Sequence, residues 1–207
     1  VQEEVVEALP GAFPGQGLCV VAGNVELMLG EILLDLEIES DNPFCADRCG
    51  TCRRCMDACP TGAIYEPLKL NPRKCIAFNT FTPWDGTRPL ISHHIAPEIR
   101  EKMGTCVHGC DACQEACPRN SKKLKASYPE DMFLVKLAGE FSLAKMLEMP
   151  DGYYERIIHP IMYNYIKEKK YFQRNAAIAL GNSRDSLHVS DLALAMDSPD
   201  DVVRTYA

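Results

Sequence analysis

Hydrophobic and polar positions alternate with period two early in the chain. Val25, Leu27 and Leu29 are separated by Glu26 and Met28, and Ile32, Leu34, Leu36 and Ile38 repeat the pattern on the opposite parity. Period two is a strand signal, because successive side chains of a strand face opposite ways. The slip in parity at Gly30-Glu31 predicts a bulge or bend between two strand segments. An amphipathic helix is the alternative, disfavoured by the interrupting glycine and by the acidic residues that alternate late in the run. A lone hairpin is marginal in water. Residues 1–39 are therefore expected to be the end of an α/β domain whose sheet lies upstream.

From about Tyr128 the period changes. Met132, Val135, Leu137, Leu143, Met146 and Leu147 follow helical spacing, and further helices are expected at 152–169, 171–180 and 187–196. The stretch from Arg174 to Asn182 resembles the second helix of a HEAT-like repeat, and Asp197, Pro199 and Val203-Arg204 read as the opening of another. Such repeats bury their faces only against neighbours, so the natural protein is expected to continue beyond residue 207. Between these sections, residues 40–126 are rich in Pro and Gly and predict loops and short helices. Residues 86–104, with Pro89, His93, His94 and Pro97, read as an insertion holding one short helix.

Composition adds a chemical constraint. Hydrophobic residues make up 46% and charged residues 25% of the chain, as in ordinary globular proteins. No apolar run approaches the roughly 18 residues of a membrane span, and no signal pattern opens the sequence. A cytoplasmic protein without membrane contact, and a monomer, is the expectation. The chain carries 11 cysteines, bunched between Cys45 and Cys117. Bunched thiols in a reducing compartment read as metal ligands rather than as a disulfide framework.

The run Cys49-x2-Cys52-x2-Cys55-x3-Cys59-Pro60 matches the bacterial ferredoxin motif. Its first three thiolates wrap one face of a 4Fe–4S cube, and the fourth serves a second cluster. Cys110-x2-Cys113-x3-Cys117-Pro118 repeats that motif without its first cysteine, which Cys75 supplies from across the insertion. The crossover then assigns Cys49, Cys52, Cys55 and Cys117 to one cluster, and Cys59, Cys75, Cys110 and Cys113 to the other. Cys106 is an alternative to Cys75; Cys45 reads as a spare thiol and Cys19 as a buried apolar one. A structural zinc site would use four ligands and leave the other thiols unexplained. The fold class expected is α+β. It comprises a short N-terminal strand segment (1–39), a ferredoxin-like module for two 4Fe–4S clusters (40–126), and an α-helical HEAT-like repeat domain (127–207).

Taken with their neighbours, these motifs resemble the cluster module of epoxyqueuosine reductases. The likeness covers the whole stretch from Cys49-Gly50-Thr51-Cys52 to Thr61-Gly62-Ala63-Ile64, Leu29-Gly30-Glu31-Ile32-Leu33 before it, and Cys75-Ile76 after it. It continues through Gly109-Cys110-Asp111-Ala112-Cys113-Gln114-Glu115-Ala116-Cys117-Pro118-Arg119-Asn120 and the Arg174–Asn182 segment. The resemblance implies a cobalamin-dependent oxidoreductase that reduces epoxyqueuosine in tRNA, the last step of queuosine biosynthesis. Its clusters would relay single electrons from a low-potential donor to cobalt, and its helical repeats would help hold tRNA. It places Thr80 and Thr82 near the corrin, and leaves the catalytic residue in the domain upstream of this chain. His108, where an aromatic is usual, and Arg119, where Trp is common, mark a divergent branch.

Other signals are weaker. His108 could touch a cluster sulfur or a cofactor edge, whereas His93-His94 reads as a solvated pair. The net charge of −7 confines any nucleic-acid contact to local basic patches, here Arg119, Lys122, Lys123 and Lys125, and Lys167, Lys169, Lys170 and Arg174. Two alternatives stand beside the reductase: another corrinoid enzyme resembling reductive dehalogenases, and a ferredoxin-type carrier with a docking repeat.

Overall fold

The computed structural model describes residues 49–81, 94–162 and 167–207. The expected N-terminal strands, Cys19, Cys45, Thr82 and His93 lie outside them. Along the chain the elements are α1 (Arg54–Ala58), β1 (Ile64–Glu66), β2 (Lys69–Leu70), α2 (Ile76–Phe81), α3 (Pro97–Arg100), α4 (Ala112–Glu115) and α5 (Ser121–Leu124). They continue with α6 (Met132–Glu140), α7 (Leu143–Glu148), a π-helical turn (Tyr154–Ile158), α8 (Lys169–Ser183), α9 (Val189–Ala195) and α10 (Asp201–Tyr206). The described chain is mostly helical, with one small sheet.

Chain contacts divide these elements into two units. The first holds the described residues 49–72 and 111–127. Its sheet is a tight antiparallel pair, Ile64 opposite Leu70 and Glu66 opposite Lys69, turned through Leu68 at a φ of +62°. Helix α1 packs against α4 and β1. Among this unit's described residues Ala63, 1% exposed, is the one buried apolar side chain.

The second unit comprises residues 73–81, 94–110, 128–162 and 167–207. Helix α8 is its axis. It is buried from Tyr171 to Leu180 apart from Gln173, packs most extensively on α7 and α10, and is apolar on several faces, as a central helix must be. Its alanines, Ala176, Ala177 and Ala179, let neighbours approach closely, and Met146, Leu147, Ile157, Ile158 and Val203 fill the space around it. A smaller cluster joins Ile178 to Ile76, Ile95, Ile99 and Met103.

Local chemistry sets the boundaries. Asp131 caps α6 by accepting from the backbone N–H of Phe133 and Leu134, at 2.8 and 3.3 Å. Arg184, at a φ of +54°, ends α8 in the left-handed conformation. Within the helix expected over 152–169, the described residues form the π turn, Lys167 and Glu168 lie outside any helix, and α8 starts at Lys169. Pro160 explains the break, since it offers no N–H to continue the ladder. Helix α8 is longer than expected at both ends. Met132 and Val135 stand exposed, the former at 71%, so of α6 only Leu137 reaches the core. Among the described residues no helix is long and apolar enough to cross a membrane.

Candidate metal centre

In the first unit, two turns present cysteines in the same way. Cys52 N–H donates to Cys49 O at 3.0 Å, Cys55 rides on α1, and Cys59 N–H closes onto Met56 O at 3.3 Å. In the second turn Cys113 rides on α4, and Cys117 N–H closes onto Gln114 O at 3.2 Å. Short helical turns of this kind turn thiols spaced three or four residues apart toward one side of the backbone. Gly50 adopts a φ of +53° between the first two cysteines, a conformation that costs glycine little.

Hydrogen-bond donors gather on one of these sulfurs. Ala63 N–H donates to Cys59 Sγ at 3.2 Å, and the Thr61 hydroxyl lies 3.7 Å from it. Burial by itself pushes the Cys59 thiol up. Hydrogen bonds from the backbone of Ile64, the side chain of Thr61 and the backbone of Ala63 and Thr61 outweigh it and hold the group below the ordinary thiol value. A thiolate is the form that binds iron, so this cradle fits a metal ligand.

The second turn is held by a buried amide. Asn120 is fully buried, and its Nδ2 donates to Gln114 O at 3.0 Å while its backbone N–H donates to Cys117 O at 3.0 Å. Gln114 in turn donates to Asp111 Oδ1 at 2.8 Å.

Four expected ligands of one cluster, Cys49, Cys52, Cys55 and Cys117, all fall in the first unit, Cys52 exposed and the rest half-buried. The other expected set is divided in sequence, with Cys59 and Cys113 in the first unit and Cys75 and Cys110 in the second. Among the described residues no group of three or more His, Cys, Asp or Glu side chains could hold a single metal ion.

Within the second unit, Cys75 immediately precedes α2. Asn79 Nδ2 donates to Cys75 O at 2.8 Å and to Arg73 O at 3.0 Å. Thr80 is buried and its hydroxyl is committed, donating to Ala77 O at 2.8 Å and accepting Gly109 N–H at 2.9 Å. Gly109 takes a φ of +80° beside the Phe81 ring. Its neighbour His108 packs edge-on against Phe81, ring centroids 4.3 Å apart, and stacks toward Phe172. Burial pushes the His108 imidazole below its ordinary value, and its buried Nδ1 has no hydrogen-bond partner. Cys106 and Cys110 are half-buried and pack against the smaller apolar cluster.

The basic residues divide. Arg119, Lys122 and Lys125 are exposed. The second expected patch does not form as a cationic surface: Arg174 is 1% exposed, Lys169 pairs with Glu155 at 3.1 Å, and Lys170 with Glu168 at 2.5 Å. His94 is exposed, 3.4 Å from an Arg100 guanidinium nitrogen. Sequence reasoning also missed the buried polar residues Asn79, Asn120, Arg174 and Asn175. For the last pair a signal existed, because Arg-Asn sits directly against the apolar run Ala176 to Leu180.

Residues 48–120 match the family model described as a 4Fe-4S double cluster binding domain. An epoxyqueuosine reductase of Bacillus anthracis is 34% identical over 183 residues, covering 86% of this chain and 44% of the relative. The solved epoxyqueuosine reductase of Streptococcus thermophilus superposes with a TM-score of 0.63 at 31% identity, covering 83% of this chain and 42% of that one. Another, solved with an epoxyqueuosine-modified tRNA-Tyr stem loop, gives a TM-score of 0.63 at 33% identity over 81% of this chain and 42% of that one. The chain thus spans less than half the length of these relatives.

Proposed function

The chain belongs to the epoxyqueuosine reductase family, and on that premise we propose that it is the iron–sulfur electron-transfer part of a cobalamin enzyme that reduces epoxyqueuosine in tRNA. The observation that carries this proposal is the double-cluster match over residues 48–120, with eight thiols at the required spacings. Cys49, Cys52, Cys55 and Cys117 would hold one 4Fe–4S cluster, and Cys59, Cys75, Cys110 and Cys113 the other. When bound, such clusters supply one-electron transfer. The chain's own contribution is to favour the ionised form of Cys59 through its hydrogen-bond donors, and to half-bury the expected ligands other than the exposed Cys52.

In the same proposal, residues 1–39 end a cobalamin-binding domain, 40–126 form the cluster module and 127–207 a HEAT-like repeat domain. His108 and Thr80 would be the cobalamin contacts among the described residues, the unpartnered His108 Nδ1 supporting the former, while the Thr80 hydroxyl already holds Ala77 O and Gly109 N–H. Thr82 keeps the role its resemblance implies. Arg119, Lys122, Lys123 and Lys125 are the candidate tRNA contacts, their charge suited to phosphate. A low-potential donor would supply the electrons, and the protein would act as a cytoplasmic monomer.

Anaerobically prepared full-length protein tests all of this. It should carry about eight irons and eight sulfides, bind cobalamin and convert epoxyqueuosine in tRNA. Clusters without cobalamin binding or epoxide reduction would leave a ferredoxin-type carrier in its place.

A further inference from the structure

Asn79 and Thr80, in the last turn of helix α2, are buried, and the last carbonyls of a helix have no partner inside it. Two side chains of α8 supply the donors. Arg174 Nη2 donates to Asn79 O at 2.8 Å, and Asn175 Nδ2 donates to Thr80 O at 3.0 Å and to Val107 O at 2.9 Å. Arg174 and Asn175 are also joined to each other, Asn175 Oδ1 accepting from Arg174 Nε at 3.0 Å and Nη2 at 2.9 Å. Both side chains are buried, at 1% and 0% exposure.

The carbonyls they hold belong to two segments that each carry a cysteine. Asn79 lies four residues after Cys75, and its own amide closes back on Cys75 O. Val107 lies three residues before Cys110, and the next-but-one peptide, Gly109 N–H, is bound by Thr80 Oγ1. The Arg174–Asn175 pair therefore ties the Cys75 segment to the Cys110 segment through Asn79 and Thr80.

A charge is more than this task needs. Neutral donors would satisfy the carbonyls, whereas burying a guanidinium is costly. Desolvation brings Arg174 down to about 10, which still leaves it charged at neutral pH. A fixed positive charge favours the more negative, reduced state of a redox centre in its field, and Arg174 is anchored on Asn79 O, four residues from Cys75.

We propose that Arg174 and Asn175 are positioning residues for Cys75 and Cys110, fixing the two cysteine segments against each other and raising the reduction potential of the cluster those cysteines hold. The proposal rests on the assignment of Cys75 and Cys110 to one cluster, and the test separates the two. Wild type, Arg174→Met, Arg174→Lys, Asn175→Ala and Cys75→Ser chains are prepared anaerobically with clusters loaded. Iron and sulfide are counted, and each chain is titrated with dithionite under electron paramagnetic resonance detection.

Arg174→Met should lower the midpoint of one cluster and leave the other unchanged, and the shifted signal should be the one Cys75→Ser removes. Arg174→Lys should restore most of the shift. Asn175→Ala should release about half the iron to a chelator roughly tenfold faster than wild type, as loss of a charge-supporting hydrogen bond predicts. Should Arg174→Met fail to hold iron, Arg174→Lys and Asn175→Ala decide, since both keep the guanidinium or an ammonium in place. Unchanged midpoints, equal shifts in both clusters, or a shift in the signal that survives Cys75→Ser would overturn the proposal. A wild-type chain with about four irons would overturn the cluster assignment first, and the proposal with it, before any substitution is compared.

Discussion

Set side by side, the two units solve the same problem with different materials. The first buries Ala63 as its one apolar side chain among the described residues and relies on turns, closed by backbone hydrogen bonds and the buried Asn120. The second buries a continuous apolar set around α8, with the buried polar pair Arg174 and Asn175 donating to backbone carbonyls. The first unit's described residues gain little from apolar burial to offset the entropy of ordering their chain. Thiolate–metal bonds can supply the difference, because metal binding becomes folding free energy when the site forms only in the folded state.

Iron removal is the severest way to break that comparison. Stripping the chain anaerobically with a chelator should raise amide exchange in residues 49–72 and 111–127 toward the free-chain rate, while the amides of α8 stay protected. Equal loss of protection in both units would sink the contrast. Phe172→Ala should do the reverse. Phe172 is 1% exposed in the larger core, so the loss is about 3–5 kcal/mol, read as a lowered thermal midpoint. Signals of a cluster held by Cys49, Cys52, Cys55 and Cys117 should persist above that midpoint.

A smaller effect is expected at Asn120. Asn120→Ala removes one of the two donors on Gln114 O and leaves Cys117 N–H as the other, at a cost of about 0.5–1.5 kcal/mol. It should speed iron loss, with denaturant unfolding of the helical unit unchanged.

The smallest change should be a gain. Tyr154 Oη is buried without a hydrogen-bond partner, so Tyr154→Phe should raise the thermal midpoint by a few degrees, in line with about 1 kcal/mol. Desolvation first, and the Glu155 carboxylate second, push the Tyr154 phenol above its ordinary value of 10.0. The folded state then holds its proton where the unfolded state has lost it. That stability is fully present below pH 10 and falls as pH rises beyond it. The phenylalanine variant should show a shallower alkaline decline, and an identical one would remove Tyr154 as its cause.

The double-cluster module was legible because cluster binding demands fixed cysteine spacing along the chain, whatever the surrounding fold. The helices of the second unit were legible in outline, because Leu137, Met146, Leu147 and the Ala-rich run of α8 keep helical period and do lie in the core. Boundaries were less so. Pro160 was visible in the sequence, yet the apolar pattern on both sides of it suggested one helix where a turn intervenes. Arg174 was taken for a surface cation because charge alone does not reveal burial. Its buried guanidinium donates to the carbonyl of Asn79, 95 positions away, a relation no local window contains. The same distance hid Asn175, whose partners lie 68 and 95 residues back.

The π turn at Tyr154–Ile158 has a consequence of its own. His159 N–H reaches back five residues, to Tyr154 O at 2.8 Å, so this stretch holds one residue more than an α-helical path would. Length, and not only identity, is therefore under constraint there. Deleting a single residue would let the ladder close as an ordinary helix but would rotate the preceding side chains about 100° relative to those that follow. Tyr154, Ile157 and Ile158 could no longer all face the core, so the segment should tolerate exchange of its exposed members, such as Arg156, far better than any change of count.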